Sequence, residues 1–140
     1  MENVSNLESL DTNTLKLLLK NAMDKKREEA QGDFLKFVKT VWPEFVEGKH
    51  HTIYAEKLNR IANGELKRLI VNMPPRHTKS EFASNLFPAF YMGRHPKAKL
   101  IQTTHTGELA IRFGRKAKNM IESSEYEKVF PEVTLAADSK

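Results

Sequence analysis

The stretch Arg68-Leu69-Ile70-Val71-Asn72-Met73-Pro74-Pro75-Arg76-His77-Thr78-Lys79-Ser80-Glu81 decides how the fold is read. Leu69-Ile70-Val71 is a short apolar run that fits a buried strand ending near Met73. Pro74 to Thr78 is too rich in turn formers to continue it. From Lys79 to about Met92, Phe82, Leu86 and Phe90 recur at steps of four, as on one face of a helix. The order strand, loop, helix has a chemical meaning. Backbone N–H groups at a new helix start point at phosphate oxygens, and the helix dipole favours an anion there. Lys79 then reaches the β- and γ-phosphates of ATP, and the Ser80 hydroxyl ligates Mg²⁺. The pattern G-x-x-x-x-G-K-[ST] is incomplete, because Met73 and Thr78 stand where glycine is expected. Thr78 fits beside phosphate if its φ is negative and its hydroxyl points away. The bland alternative is a solvated loop whose lysine has no special task.

Working outward, the upstream chain reads as three helices. Leu15, Leu18, Leu19 and Ala22 mark one face of Asp11–Ala30, continued by the charged run Lys25 to Glu29. Phe34, Phe37, Val38 and Val41 define a short helix capped by Asp33 and stopped by Trp42-Pro43. Tyr54, Leu58 and Ile61 form a stripe on Thr52–Ala62, with Gly64 as its left-handed terminator. Downstream, Pro88 implies a kink or a join between two helical pieces. Lys99–Thr103 reads as a second strand, Thr106–Glu122 as a helix with Leu109, Phe113 and Ala117 inward, and Pro131–Ala137 as a third strand. This is the βαβ rhythm of a parallel sheet covered by helices. The fold expected is therefore α/β, a P-loop NTPase-like parallel sheet of the ASCE type. It is apparently incomplete and preceded by N-terminal helices. Residues 1–30 form a helical extension and 31–140 the Walker A half of an ATPase domain.

The run from Arg68 to Glu81 closely resembles the Walker A region of the large terminase subunits of tailed bacteriophages, with Thr78 in place of their glycine. Trp42-Pro43, His50-His51, Gly64 to Arg68, Gln102 to His105, Phe113-Gly114-Arg115 and Phe130-Pro131 look like its flanks, so the resemblance covers about residues 31–140. It implies the ATP-binding part of a motor that pumps double-stranded viral DNA into a procapsid. Lys79 and Ser80 inherit the phosphate and Mg²⁺ roles. Arg76 takes the place of an arginine that contacts the γ-phosphate, so Arg76 and Lys79 are the catalytic candidates. Pro75, His77, Thr78 and Glu81 complete the cofactor loop, and His51 or Tyr54 borders the base, although Tyr54 also fits a core position. The implied partners are double-stranded DNA, a portal protein, a small terminase subunit and copies of the chain in a ring. The implied place is the host cytoplasm, beside the procapsid.

Composition sets the outer limits. The 140 residues carry a net charge of +5, with 39% hydrophobic and 9% aromatic residues, which suits a globular domain. There are no cysteines, which excludes a disulfide framework and cysteine metal sites. No apolar run is long enough to cross a membrane, and Met1–Leu10 carries two acids and no base, unlike a secretory signal. The histidines show no metal-ligand spacing, and Arg112, Arg115, Lys116 and Lys118 read as a solvated face before a DNA-tracking one. No apolar run ending in Asp-Glu supplies a Walker B strand, so hydrolysis by these residues alone is not expected. The competing readings are a helicase-like P-loop ATPase and a non-catalytic protein, either a gene remnant or an interaction module.

Overall fold

The aromatic side chains of the second helix organise the molecule. The computed structural model describes residues 11–136. Its elements are α1 (Thr12–Gly32), α2 (Phe34–Val41), α3 (Lys49–Ala62), α4 (Lys79–Glu81), a wide π turn (Phe82–Leu86), α5 (Phe87–Arg94), α6 (Gly107–Ile121) and α7 (Ser124–Val129). On α2, Phe34, Phe37, Val38 and Val41 are all buried, so an eight-residue helix presents one wholly apolar face. That face packs against α1, α3, α5 and α7. The ring of Phe34 meets Phe82 at 5.3 Å, Phe90 at 5.4 Å and Phe87 at 5.7 Å, each edge-on. Phe37 meets Tyr126 at 6.1 Å and Phe130 at 6.0 Å.

Polar groups fix how the helices enter this core. Asp33 caps α2 by accepting the Lys36 N–H at 2.9 Å. Its other oxygen accepts from Asn59 Nδ2 at 2.8 Å, while Asn59 Oδ1 accepts the Phe34 N–H at 2.7 Å. One carboxylate and one amide thus tie the start of α2 to α3. At the far side, the Tyr126 hydroxyl donates to the Ala89 carbonyl at 3.0 Å, and Gln31 Nε2 donates to the Val129 carbonyl at 2.6 Å. Gly64 ends α3 at φ 77, the left-handed position expected of it.

Pro88 accounts for the π turn. It has no N–H to give to the Ser84 carbonyl four residues earlier, and its ring crowds that carbonyl. The backbone widens, with Phe87 N–H reaching back to the Phe82 carbonyl. The freed Ser84 carbonyl accepts from Gln102 Nε2 at 3.1 Å instead. Asn85, inside the π turn, is 2% exposed, and neither atom of its amide has a hydrogen-bond partner. Each such group costs about 1–3 kcal/mol.

The expected α/β architecture is not what forms. Among the described residues there is no strand. The three runs assigned to strands, Leu69–Met73, Lys99–Thr103 and Pro131–Ala136, are irregular segments, and among the described residues no backbone hydrogen bond joins the first to the second. Ala137, the end of the third, lies outside the described residues. Leu69, Val71 and Met73 alternate inward onto the helical core while Ile70 and Asn72 face out, and Val133 and Leu135 do likewise. The side-chain alternation of a strand is present without the ladder that makes a sheet. The fold is a helical bundle with extended segments laid across it, not a parallel sheet covered by helices.

Candidate functional site

The loop expected to hold ATP is built, but it closes on itself. His51, on the first turn of α3, accepts the Gly48 N–H at Nδ1 (2.9 Å), which leaves the proton on Nε2. Nε2–H donates to Thr78 Oγ1 at 2.5 Å, and that hydroxyl donates to the His77 carbonyl at 2.7 Å. His77 Nδ1–H in turn donates to the Pro75 carbonyl at 2.9 Å. Arg76 and Thr78 both adopt positive φ, 64 and 56, which costs a residue with a Cβ about 1–2 kcal/mol. Thr78 is therefore left-handed, so the negative φ that would fit it beside phosphate is not adopted, and its hydroxyl is engaged by His51. The Lys79 ammonium points back and donates to the Met73 carbonyl at 3.2 Å. Ser80 is exposed on a helix of three residues, and Glu81 accepts from Lys116 of α6 at 3.2 Å. Tyr54 is buried and stacked on Phe82 at 5.7 Å. The structure gathers Pro75, Arg76, His77, Thr78, Lys79 and His51 at one place and sends Tyr54 into the core.

This geometry overturns the ATP and Mg²⁺ assignment. A phosphate cradle of the Walker A kind depends on a strand, locked in a sheet, that delivers the loop to the head of a helix. Among the described residues, 69–73 form no strand, so that platform is missing. The terminase resemblance falls with it, as do the motor function, the P-loop, Walker A and hydrolase assignments, and the helicase-like and remnant alternatives. Compared with protein-family models, with curated proteins and with solved structures, the chain matches none.

The His51 node is expected to make stability fall in acid. Burial first, then the adjacent His50, hold the His51 imidazole below its ordinary pKa of 6.5; Glu47 opposes and His77 adds a little. The His50 and His51 rings are 3.8 Å apart, and His50 and His77 5.4 Å. A proton on Nδ1 would also face the Gly48 N–H. Because the folded pKa is depressed, the unfolded chain binds the proton first, so stability is full above about pH 6.5 and falls as the pH drops below it. The urea midpoint is expected to hold above about pH 6.5 and decline from there to about pH 5, and His51→Phe to flatten that decline. An equal decline in both proteins would remove His51 as its source.

A second feature has open space. A groove of about 820 Å³ runs between α5 and α6, walled by Phe87, Met92, Ile111 and Ile121 and by the extended residues Leu100 and Ile101. Ile101 is 92% exposed, Ile111 57% and Leu100 45%. Arg115 and Lys118 also line it, and no acidic residue does. Thr106 starts α6 by accepting the Leu109 N–H, which sets the helix phase so that Ala117 and Ile121 turn inward and Ile111 turns to the groove. Sequence reasoning misses the groove because the stripe Leu109, Phe113 and Ala117 reads as the whole apolar face of this helix. The second stripe, Ile111, Gly114 and Ile121, was its sequence signal.

Proposed function

We propose that this protein is a non-catalytic docking module whose α5–α6 groove takes an amphipathic, acidic segment of a partner protein. The observation that carries this is a groove of about 820 Å³ with strongly exposed isoleucines and an exclusively basic charged lining. Large uncovered apolar surface rimmed by charge marks a protein-interaction site. The charge decides the occupant. Arg115 and Lys118 line the groove, Lys118 lying 4.0 Å from Glu122 at the end of α6, and the chain as a whole carries +5. An apolar helix face flanked by Glu or Asp satisfies both features. The terminase partners (double-stranded DNA, portal protein, small subunit) were implied by the resemblance alone and are not part of this reading.

The test is a labelled peptide of about four helical turns, leucines on one face and glutamates on the other, followed by fluorescence anisotropy. Saturable binding is expected, at least about tenfold weaker for the lysine version of the peptide and for Ile111→Glu. Ile111 is exposed, so that variant keeps the fold. Absence of saturable binding, or binding indifferent to Ile111→Glu, sinks the proposal. So does tighter binding of a short DNA duplex that is lost in Arg115→Glu, which would make the face a nucleic-acid surface.

A further inference from the structure

The loop of residues 74–78 is held shut by a side chain from another element. Among the described residues, one hydrogen bond ties it to α3, from His51 Nε2–H to Thr78 Oγ1. Its other bonds stay within it or run into the chain that follows: Thr78 Oγ1 to the His77 carbonyl, His77 Nδ1 to the Pro75 carbonyl, and the Phe82 N–H to the Thr78 carbonyl. Arg76 and Thr78 are both left-handed, so the closed loop holds backbone strain that opening releases. The His51 imidazole beneath it is 6% exposed. Its walls are Phe45 at 4.8 Å, Phe82 at 5.3 Å, His50 at 3.8 Å and Thr78. Phe82 belongs to the core and Phe45 packs on it, so the loop is the wall free to leave. None of residues 74–78 lines the α5–α6 groove.

We infer that residues 74–78 are an acid-released latch, shut by neutral His51 on Thr78 and opened when a proton enters that ring, with the helical core left standing. A neutral ring suits the closed site at both nitrogens, since Nδ1 accepts the Gly48 N–H and Nε2–H serves Thr78. A second proton makes Nδ1 a donor aimed at a donor, and puts a charge in a site nearly closed to water. The surrounding groups do not rescue that charge. His50 stands beside the ring on α3, and His77 stands on the loop, 5.4 Å from His50. Glu47, the carboxylate that attracts a charge on the ring, is held by Lys39 at 2.6 Å and by Thr52 at 2.8 Å. The Lys79 ammonium is turned to the Met73 carbonyl, and Phe45 and Phe82 bring no charge. His77 donates from Nδ1 to Pro75 in either protonation state, so its own proton does not break the loop. Opening returns His51 to water and to its ordinary proton affinity, so the latch frees itself as the pH falls through about 6.5. The event is local, and it sets a limit to the stability that the buried ring takes from the whole fold in acid.

Trypsin reads the latch, because cleavage after Arg76 and Lys79 follows the population of the opened loop. Both cuts are timed in the full chain at about pH 7.5 and about pH 5.5, each rate divided by that of a free peptide of residues 70–84 at the same pH. A proton bound by the open form alone, with a pKa of about 6.5, raises the open population about tenfold over that interval, and this is the rise expected. Cleavage after Lys36 on α2 is expected to stay slow and the helical circular dichroism to stay constant. Thr78→Val removes the hydroxyl that His51 holds and is expected to be cut fast at both pH values. His51→Gln keeps a donor without a titrating ring and is expected to stay shut at both. A wild-type ratio near one overturns the inference, as does Thr78→Val cut as slowly as wild type at the higher pH. A rise that persists in His51→Gln assigns the sensing to another group and overturns the role of His51. A rise matched at Lys36, or accompanied by loss of helix, means global unfolding and overturns the latch.

Discussion

Phe34→Ala is expected to lower the unfolding free energy by about 3–5 kcal/mol, the range for losing a buried phenylalanine and leaving a cavity. A domain of this size holds about 5–15 kcal/mol in total, so the variant stands near the edge of folding. The site leaves little room for collapse. Phe34 is 0% exposed and touches the rings of Phe37, Phe82, Phe87 and Phe90, which come from α2, the π turn and α5. Its N–H is also the group that Asn59 anchors. Urea titration followed by circular dichroism measures the loss, and a change below about 1 kcal/mol would mean that this aromatic cluster is not the centre of the core.

The second large effect comes from adding an atom. A Cβ on Gly93 would lie 2.6 Å from two ring atoms of Phe130, well inside contact distance. The ring cannot easily retreat, because Phe130 is 4% exposed and sits 5.2 Å from Tyr126, 6.0 Å from Phe37 and 6.4 Å from Phe90. Gly93→Ala is therefore expected to cost about 1–3 kcal/mol or more through overpacking. Combining it with Phe130→Leu should recover part of that loss, a coupling that a double-mutant cycle reads directly. Strict additivity of the two changes would show that the close approach of α5 to Phe130 is not what makes glycine necessary.

Helices were legible in the residues and sheets were not, and the difference lies in where each gets its hydrogen bonds. The face of α2, the Asp33 cap, the Gly64 terminator and the break before Pro88 are all local, settled within a few residues of sequence. A strand needs a partner far along the chain. Leu69-Ile70-Val71 carries the right side chains for a strand, yet their composition says nothing about whether a neighbour pairs with them. The loop shows the same limit. The residues place Lys79-Ser80 at a helix start, which is local, but the direction of the Lys79 ammonium depends on the Met73 carbonyl that accepts from it, and the φ of Thr78 goes with a hydrogen bond to His51, 27 residues upstream. Tyr54 was weighed as a base neighbour and as a core residue; its stacking on Phe82 puts it in the core.

Those lone extended runs carry a consequence for handling the protein. Open peptide edges beside isoleucine are templates for cross-β growth, and Ile70 and Ile101 are 87% and 92% exposed. The chain places Lys67-Arg68 directly before one run and Lys99 directly before the other. These cations act as gatekeepers, since stacking identical segments would pile like charges on one another. Salt that screens them removes that guard, so fibril formation should set the upper limit of concentration in high-salt buffers.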